Sequence, residues 1–198
     1  CGPEIHGSTF FTHGSNGGTI YSRENLWGGG SNWGLYASYG LRVGNDFETG
    51  DGSADRVPAS FNKWDGFFAF SRDVSEISRL EFNYLRTEIN NTELPGVVYD
   101  INNSHNDQFN IRHVIQEDRQ GAEQFVLQYW LHQTGYRGDA SRESKQRTLY
   151  RDFFTLPSFD DLPINTLGSG RSDSMGLRSC LTLGDTDGLT DGDTDGET

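Results

Sequence analysis

Apolar and polar residues alternate with a period of two along most of this chain, in segments of about ten to thirteen residues. The cleanest runs Trp33, Leu35, Ala37, Tyr39, Leu41, Val43, interleaved with Gly34, Tyr36, Ser38, Gly40, Arg42, Gly44. Successive side chains of a strand point to opposite faces, so this segment is greasy on one side and small or polar on the other. The same alternation sets Leu80, Phe82 and Tyr84 against Arg79, Glu81 and Asn83. It sets Phe125, Leu127, Tyr129 and Leu131 against Gln124, Gln128 and His132, and Met175, Leu177, Leu181 and Leu183 against Gly176, Arg178, Cys180 and Thr182. Less regular segments at 5–13, 18–28, 61–72 and 108–117 bring the expectation to about eight strands. No stretch carries a capped apolar stripe at helical spacing, and Gly interrupts nearly every window, so little helix is expected.

The connections alternate in length. Tight turns are expected at Gly28-Gly29-Gly30-Ser31, Arg72-Asp73-Val74-Ser75 and Arg119-Gln120-Gly121-Ala122, and long polar excursions at 45–60, 89–107 and 137–171. In an antiparallel sheet this alternation sends every long loop out from one edge, which is how outer-membrane barrels are built. The aromatics Trp27, Trp33, Trp64, Tyr84 and Tyr136 stand near strand ends, where interfacial girdles form. A soluble β-sandwich would alternate in the same way, but its strands are typically about five or six residues long. The expected fold is therefore all-β, an antiparallel transmembrane β-barrel segment of about eight long strands with short periplasmic turns and long outer loops. The alternative is a secreted sandwich.

Composition narrows the function. The 198 residues carry 16 basic against 29 acidic side chains, a formal charge of −13, which excludes the basic stripe of a phosphate-gripping nucleic-acid binder. The longest unbroken apolar run is Phe67-Phe68-Ala69-Phe70, far short of the roughly 20 residues of a membrane helix. The two cysteines, Cys1 and Cys180, make neither a disulfide framework nor a metal pair. The five histidines lack H-x-x-x-H and H-E-x-x-H spacings, and neither G-x-S-x-G nor a P-loop is present, so no enzyme is expected.

Longer stretches resemble a family. The run through Gly7-Ser8-Thr9, Asn16-Gly17-Gly18, Leu26-Trp27-Gly28-Gly29, Asn32 to Gly40 and Asn45 to Gly52 resembles the first barrel strands of TonB-dependent outer-membrane receptors. So does Ser78 to Thr87, followed by a loop with Glu93-Leu94-Pro95-Gly96 and Tyr99-Asp100. The resemblance spans roughly residues 4–184. It implies import of a scarce, bulky nutrient such as a ferric siderophore, cobalamin or an oligosaccharide, in the cell outer membrane. The partners it implies are outer-membrane lipid, a small nutrient ligand, and the TonB system acting through parts of a parent chain not included in this sequence. On this reading residues 1–4 end a missing plug, 5–184 are barrel strands, and 185–198 form an acidic Asp/Gly-rich turn or tail. The chain is then an N-terminal section of the barrel, lacking the plug and most later strands.

Basic residues facing lipid cost about 2–4 kcal/mol each at the midplane. Arg42, Glu81, Arg112 and Arg178, all on polar faces, are therefore expected to line the lumen. Phe47, Trp64, Tyr99 and Asp100 are the candidates for ligand capture on loops. Residues 185–198 hold six acids and no base, and Asp191, Asp193, Asp195 and Gly196 match the opening of a D-x-D-x-D-G calcium loop. No other cofactor is expected. In the sandwich alternative the chain is a carbohydrate-binding module with this calcium-binding tail.

Overall fold

The computed structural model describes residues 2–50, 56–97, 99–116, 124–142, 145 and 167–182. Eight long strands form one antiparallel sheet. They are β1 (Glu4–Gly14), β2 (Thr19–Gly29), β3 (Trp33–Gly44), β6 (Phe61–Ser75), β7 (Ser78–Thr92), β8 (Asp100–Gln116), β9 (Gln124–Asp139) and β10 (Gly168–Thr182). Two short strands, β4 (Phe47–Glu48) and β5 (Arg56–Val57), pair with each other inside the connection from β3 to β6. The order β1-β2-β3-β6-β7-β8-β9-β10 follows the chain, so each strand pairs with its neighbour in sequence. The sheet is open: β1 and β10 lie at its two ends and do not pair with each other.

The period-two pattern fixes the faces, because register carries each alternation across to the next strand. One row runs Ile5, Gly28, Leu35, Phe70, Phe82, Ile111, Tyr129, Leu177. The next runs Gly7, Leu26, Ala37, Phe68, Tyr84, Phe109, Leu131, Met175. Both rows are free of charge across all eight strands, and edge-to-face contacts such as Phe82 with Phe109, 5.2 Å between centroids, knit them together. Among the described residues, none packs over this apolar face. Met175 and Leu177 are each 69% exposed, and Val114 and Ala140 are the only buried hydrophobic residues among those described.

Long connections leave from one edge, with three differences from the sequence expectation. The excursion expected at 89–107 shrinks to 93–99, because β7 continues through Thr92 and β8 begins at Asp100. Apart from Ile89, the residues around Asn90 and Asn103 are polar on both faces, which hides strand from a hydrophobic pattern, yet they pair in register. The turn expected at 72–75 sits at 76–77, since Asp73 still pairs with Arg79 and Ser75 with Ser78. On the long-loop edge β1 and β2 are joined by the short segment 15–18, where Gly17 takes φ 75°. The turn expected at 119–122 and the whole acidic stretch 185–198 lie outside the described residues.

Candidate functional site

The face opposite the apolar rows is polar and cross-linked. Glu81 on β7 stands directly opposite Arg112 on β8, and the guanidinium donates to the carboxylate at 3.0 Å. Register continues this row through Gln128 on β9 to Arg178 on β10. Three of the four residues expected on the lumenal face thus share one line across the sheet. Arg42 lies on the same face but toward the long-loop edge, opposite Tyr21, with its guanidinium carbon 4.6 Å from the Tyr21 ring centroid. A cavity of about 890 Å³ opens on this face at the short-turn edge, with Asp73, Arg79, Glu81 and Arg112 in its wall.

A second cross-link went unseen in the sequence. Arg23 on β2 reaches over β3 to Asp65 on β6, 2.7 Å away, and also donates to the Tyr21 hydroxyl at 2.8 Å. Register places Gly40 between them, and a Cβ there would come within 2.6 Å of the Arg23 guanidinium. A side chain at position 40 would block the crossing. The signal was present as an isolated Gly inside a strand pattern, which marks close approach. Its partners are 42 residues apart, a separation no periodicity reports.

At the long-loop edge the connections are tied together by charge. Asp100 is 1% exposed; Lys145 lies 3.1 Å from one of its oxygens and Arg142 lies 3.7 Å from the other. The Leu94 amide donates to Asp100 at 3.0 Å, and Lys145 also donates to the Leu94 carbonyl. Arg142 bridges on to Glu93, which accepts from the Ser60 hydroxyl at 2.8 Å. Burial alone would raise the Glu93 carboxyl, but the Arg142 guanidinium and the Ser60 hydroxyl outweigh it and hold it below its ordinary range. Beside this knot is a cavity of about 790 Å³ whose wall includes Asn16, Asn45, Asp46, Ser60 and Glu93.

The four expected capture residues do not form one loop surface. Phe47 sits in β4 and Tyr99 just before β8, both partly exposed. Trp64 is not on a loop: it lies within β6, on the apolar face, with the Arg86 guanidinium 5.6 Å from its ring. Asp100 opens β8, and its burial makes it the centre of the salt-bridge knot and no open ligand contact. Glu93, Arg142 and Lys145 were missed because a loop ion pair leaves no periodic trace. The calcium candidates Asp191, Asp193 and Asp195 lie outside the described residues, and no group of three metal-ligating side chains occurs among those described.

No family model, no curated protein and no solved structure matches this chain.

Proposed function

We propose that this chain is part of a transmembrane β-barrel of the outer-membrane, TonB-dependent receptor kind, and that it serves uptake of a bulky nutrient through its polar face and long-loop edge. One observation carries the reading. Two uncharged rows cross all eight strands on a single face that no described residue covers, while the cross-strand pairs Arg23–Asp65 and Glu81–Arg112 lie on the other. A face of that extent is costly in water and favourable against lipid hydrocarbon. On β9 the apolar stretch from Phe125 to Leu131 spans about 20 Å at roughly 3.4 Å per residue, on the scale of the lipid-facing band of such barrels. The strands have 11 to 17 residues, enough for the roughly 9–11 that a tilted crossing needs.

Beyond the band, Arg86 shares its charge with Asp107 and Glu88, and Tyr84 donates to Asp107. Paired charges beside an aromatic suit a headgroup boundary. The lumenal row Glu81–Arg112–Gln128–Arg178 and the cavity beside Asn45, Asp46 and Glu93 supply hydrogen-bonding groups for a polar ligand or for a plug. A sandwich would need a second layer over the apolar face, and the described residues supply none.

The test is expression of the reading frame that encodes this chain in a Gram-negative host, followed by carbonate washing of the membranes and heat-modifiable gel mobility. Retention in the outer membrane with a heat-dependent shift is expected. A product released by carbonate, with no shift, would overturn the assignment.

A further inference from the structure

We infer that the ligand taken up along the polar face is a neutral carbohydrate chain, bound on a belt that runs at mid-height from Trp27 and Tyr36 to Trp130. The inference rests on the uptake reading and selects its ligand class. Two consecutive polar-face rows make the belt. One runs from His6 on β1 through Trp27, Tyr36 and Trp130 to Gly176 on β10, and the next from Ser8 through Asn25 and Gln108 to Ser174. None of their sixteen positions holds Asp, Glu, Lys or Arg, although 23% of the chain is charged. Charges flank the belt instead. Glu81, Arg112 and Arg178 stand toward the short turns, and Arg23, Arg42, Lys63 and Asp65 toward the long loops.

The absence of charge excludes some ligands, and the side chains present select among the rest. An ion that sheds water against this belt meets no opposite charge there, and such burial is costly. A pyranose asks for two other things: an apolar surface for its C–H face, and partners for hydroxyls that each donate and accept. Trp27 and Tyr36 stand directly opposite one another and remain 40% and 37% exposed. The Tyr36 hydroxyl donates to Asn25 at 3.0 Å and Asn25 donates to Ser8 at 3.1 Å, which holds the ring in place. Phe67 lies beside Tyr36, 5.8 Å between centroids. At the far end a Cβ on Gly176 would collide with the Trp130 indole, so that ring lies across the bare backbone of β10. Between these aromatic ends Asn83 and Asn110 face each other, with Gln108 in the adjoining row. A carboxamide donates and accepts at once, as a sugar hydroxyl requires. Among the described residues Asn83 and Gln108 have no side-chain partner, so both are available.

Spacing sets the size of the ligand. Four strand steps separate Tyr36 from Trp130, about 19 Å at roughly 4.8 Å per strand. One sugar ring cannot reach from one aromatic end to the other, whereas an oligosaccharide lying across the strands can. Aromatic surface with a few placed hydrogen-bonding groups is also the usual make-up of a small-molecule site.

The test uses the protein expressed from the reading frame that encodes this chain, purified from whichever fraction holds it in a polyoxyethylene detergent that carries no sugar. It is probed on an array of neutral, acidic and aminated glycans and, in parallel, with ferric citrate. Calorimetry then measures affinity for the best glycan. A neutral oligosaccharide should be preferred, and its monosaccharide unit should bind far more weakly. Trp27→Ala and Trp130→Ala should each weaken binding by about two- to tenfold. Trp130→Phe should keep most of the affinity, and Trp33→Phe, on the apolar face, should leave it unchanged. Heat-modifiable mobility of the same preparation keeps the two readings apart. A heat-shifting barrel that binds no neutral glycan, or that prefers ferric citrate or a charged glycan, would overturn the belt and leave the barrel standing. Glycan binding that survives Trp27→Ala with Trp130→Ala, as for a belt that only seats a plug, would do the same, and so would equal loss with Trp33→Phe. Tryptophan-dependent glycan binding by a protein that carbonate releases without a heat shift would support the belt and overturn the barrel.

Discussion

An arginine moved along β8 reports what covers the apolar face. Ile111 sits between Phe82 and Tyr129 in an uncharged row, and its neighbour in sequence, Arg112, already occupies the other face beside Glu81. If the apolar face meets lipid, Ile111→Arg places a guanidinium near the middle of the band, at a cost of about 2–4 kcal/mol. That lowers the folded-to-unfolded ratio by about thirty- to nine-hundred-fold, at 1.36 kcal/mol per decade. Asn110→Arg, one residue away on the polar face, loses only the Gln128 hydrogen bond of 3.0 Å, worth about 1 kcal/mol. Replacing Phe109, Ile111, His113 and Ile115 in turn by Arg gives a depth series, measured by equilibrium urea unfolding in phospholipid vesicles. A bilayer makes the penalty peak at Ile111 and fall toward both ends. Since Ile111 is 37% exposed within the chain alone, an uncovered sheet in water would register a change within about 0.5 kcal/mol. A flat, small profile would refute the lipid-facing assignment.

Breaking the crossing over Gly40 should also register. Asp65→Asn and Gly40→Val should each cost about 1–3 kcal/mol, as expected for a partly buried charged hydrogen bond, and a double-mutant cycle between Arg23 and Asp65 should show coupling. The loop knot should fail in acid. Glu93 is depressed in the folded state, so its contribution is fully present above its ordinary value near 4.5 and disappears as pH falls through the lower folded value. Pepsin cleavage within 93–99 should therefore rise steeply below pH 4.5, and Glu93→Gln should make cleavage high at all pH values. The two faces should differ to thiol reagents. In a Cys1→Ser background Cys180, opposite Val126 on the polar face, should react with a water-soluble maleimide in membranes, whereas Ser179→Cys with Cys180→Ser should be protected.

The faces of the sheet were legible because period-two alternation is a local property. Leu80, Phe82 and Tyr84 identify the apolar side of β7 without reference to any partner, and pairing only repeats that assignment on each neighbour. Arg42, Glu81, Arg112 and Arg178 fell on one face for the same reason. Strand ends were less legible. Beyond Thr87 and before Gln108 the strand residues are mostly Asn, Glu, Ser, His and Asp, with Ile89 and Ile101 too sparse to make an alternation, so their strand character comes from backbone pairing and ion pairs such as Arg86 with Glu88. Trp64, grouped with the loop capture candidates although the 61–72 strand expectation contained it, lies opposite Glu88 within the sheet. The knot around Asp100 was illegible because its members come from three separate segments, and burial of an acid depends on which cations arrive.

The sheet's energetics return to what lies outside it. An ordinary domain of this length is held chiefly by apolar area removed from water between two layers. Among the described residues one layer is present, and only Val114 and Ala140 are buried hydrophobics. Backbone ladders and cross-strand pairs fix the register, but each pair contributes only about 0.2–1 kcal/mol, and exposed ion pairs such as Glu81 with Arg112 add little more. Among the described residues β1 and β10 also leave one side of their backbone unpaired, a template for further strands. Two demands therefore act on the same object: cover for an apolar face and partners for two edges. In the proposed reading a bilayer meets the first and additional barrel strands meet the second. On the proposed barrel reading, the pattern that makes the strands readable in the sequence is also the pattern that sets which face meets lipid.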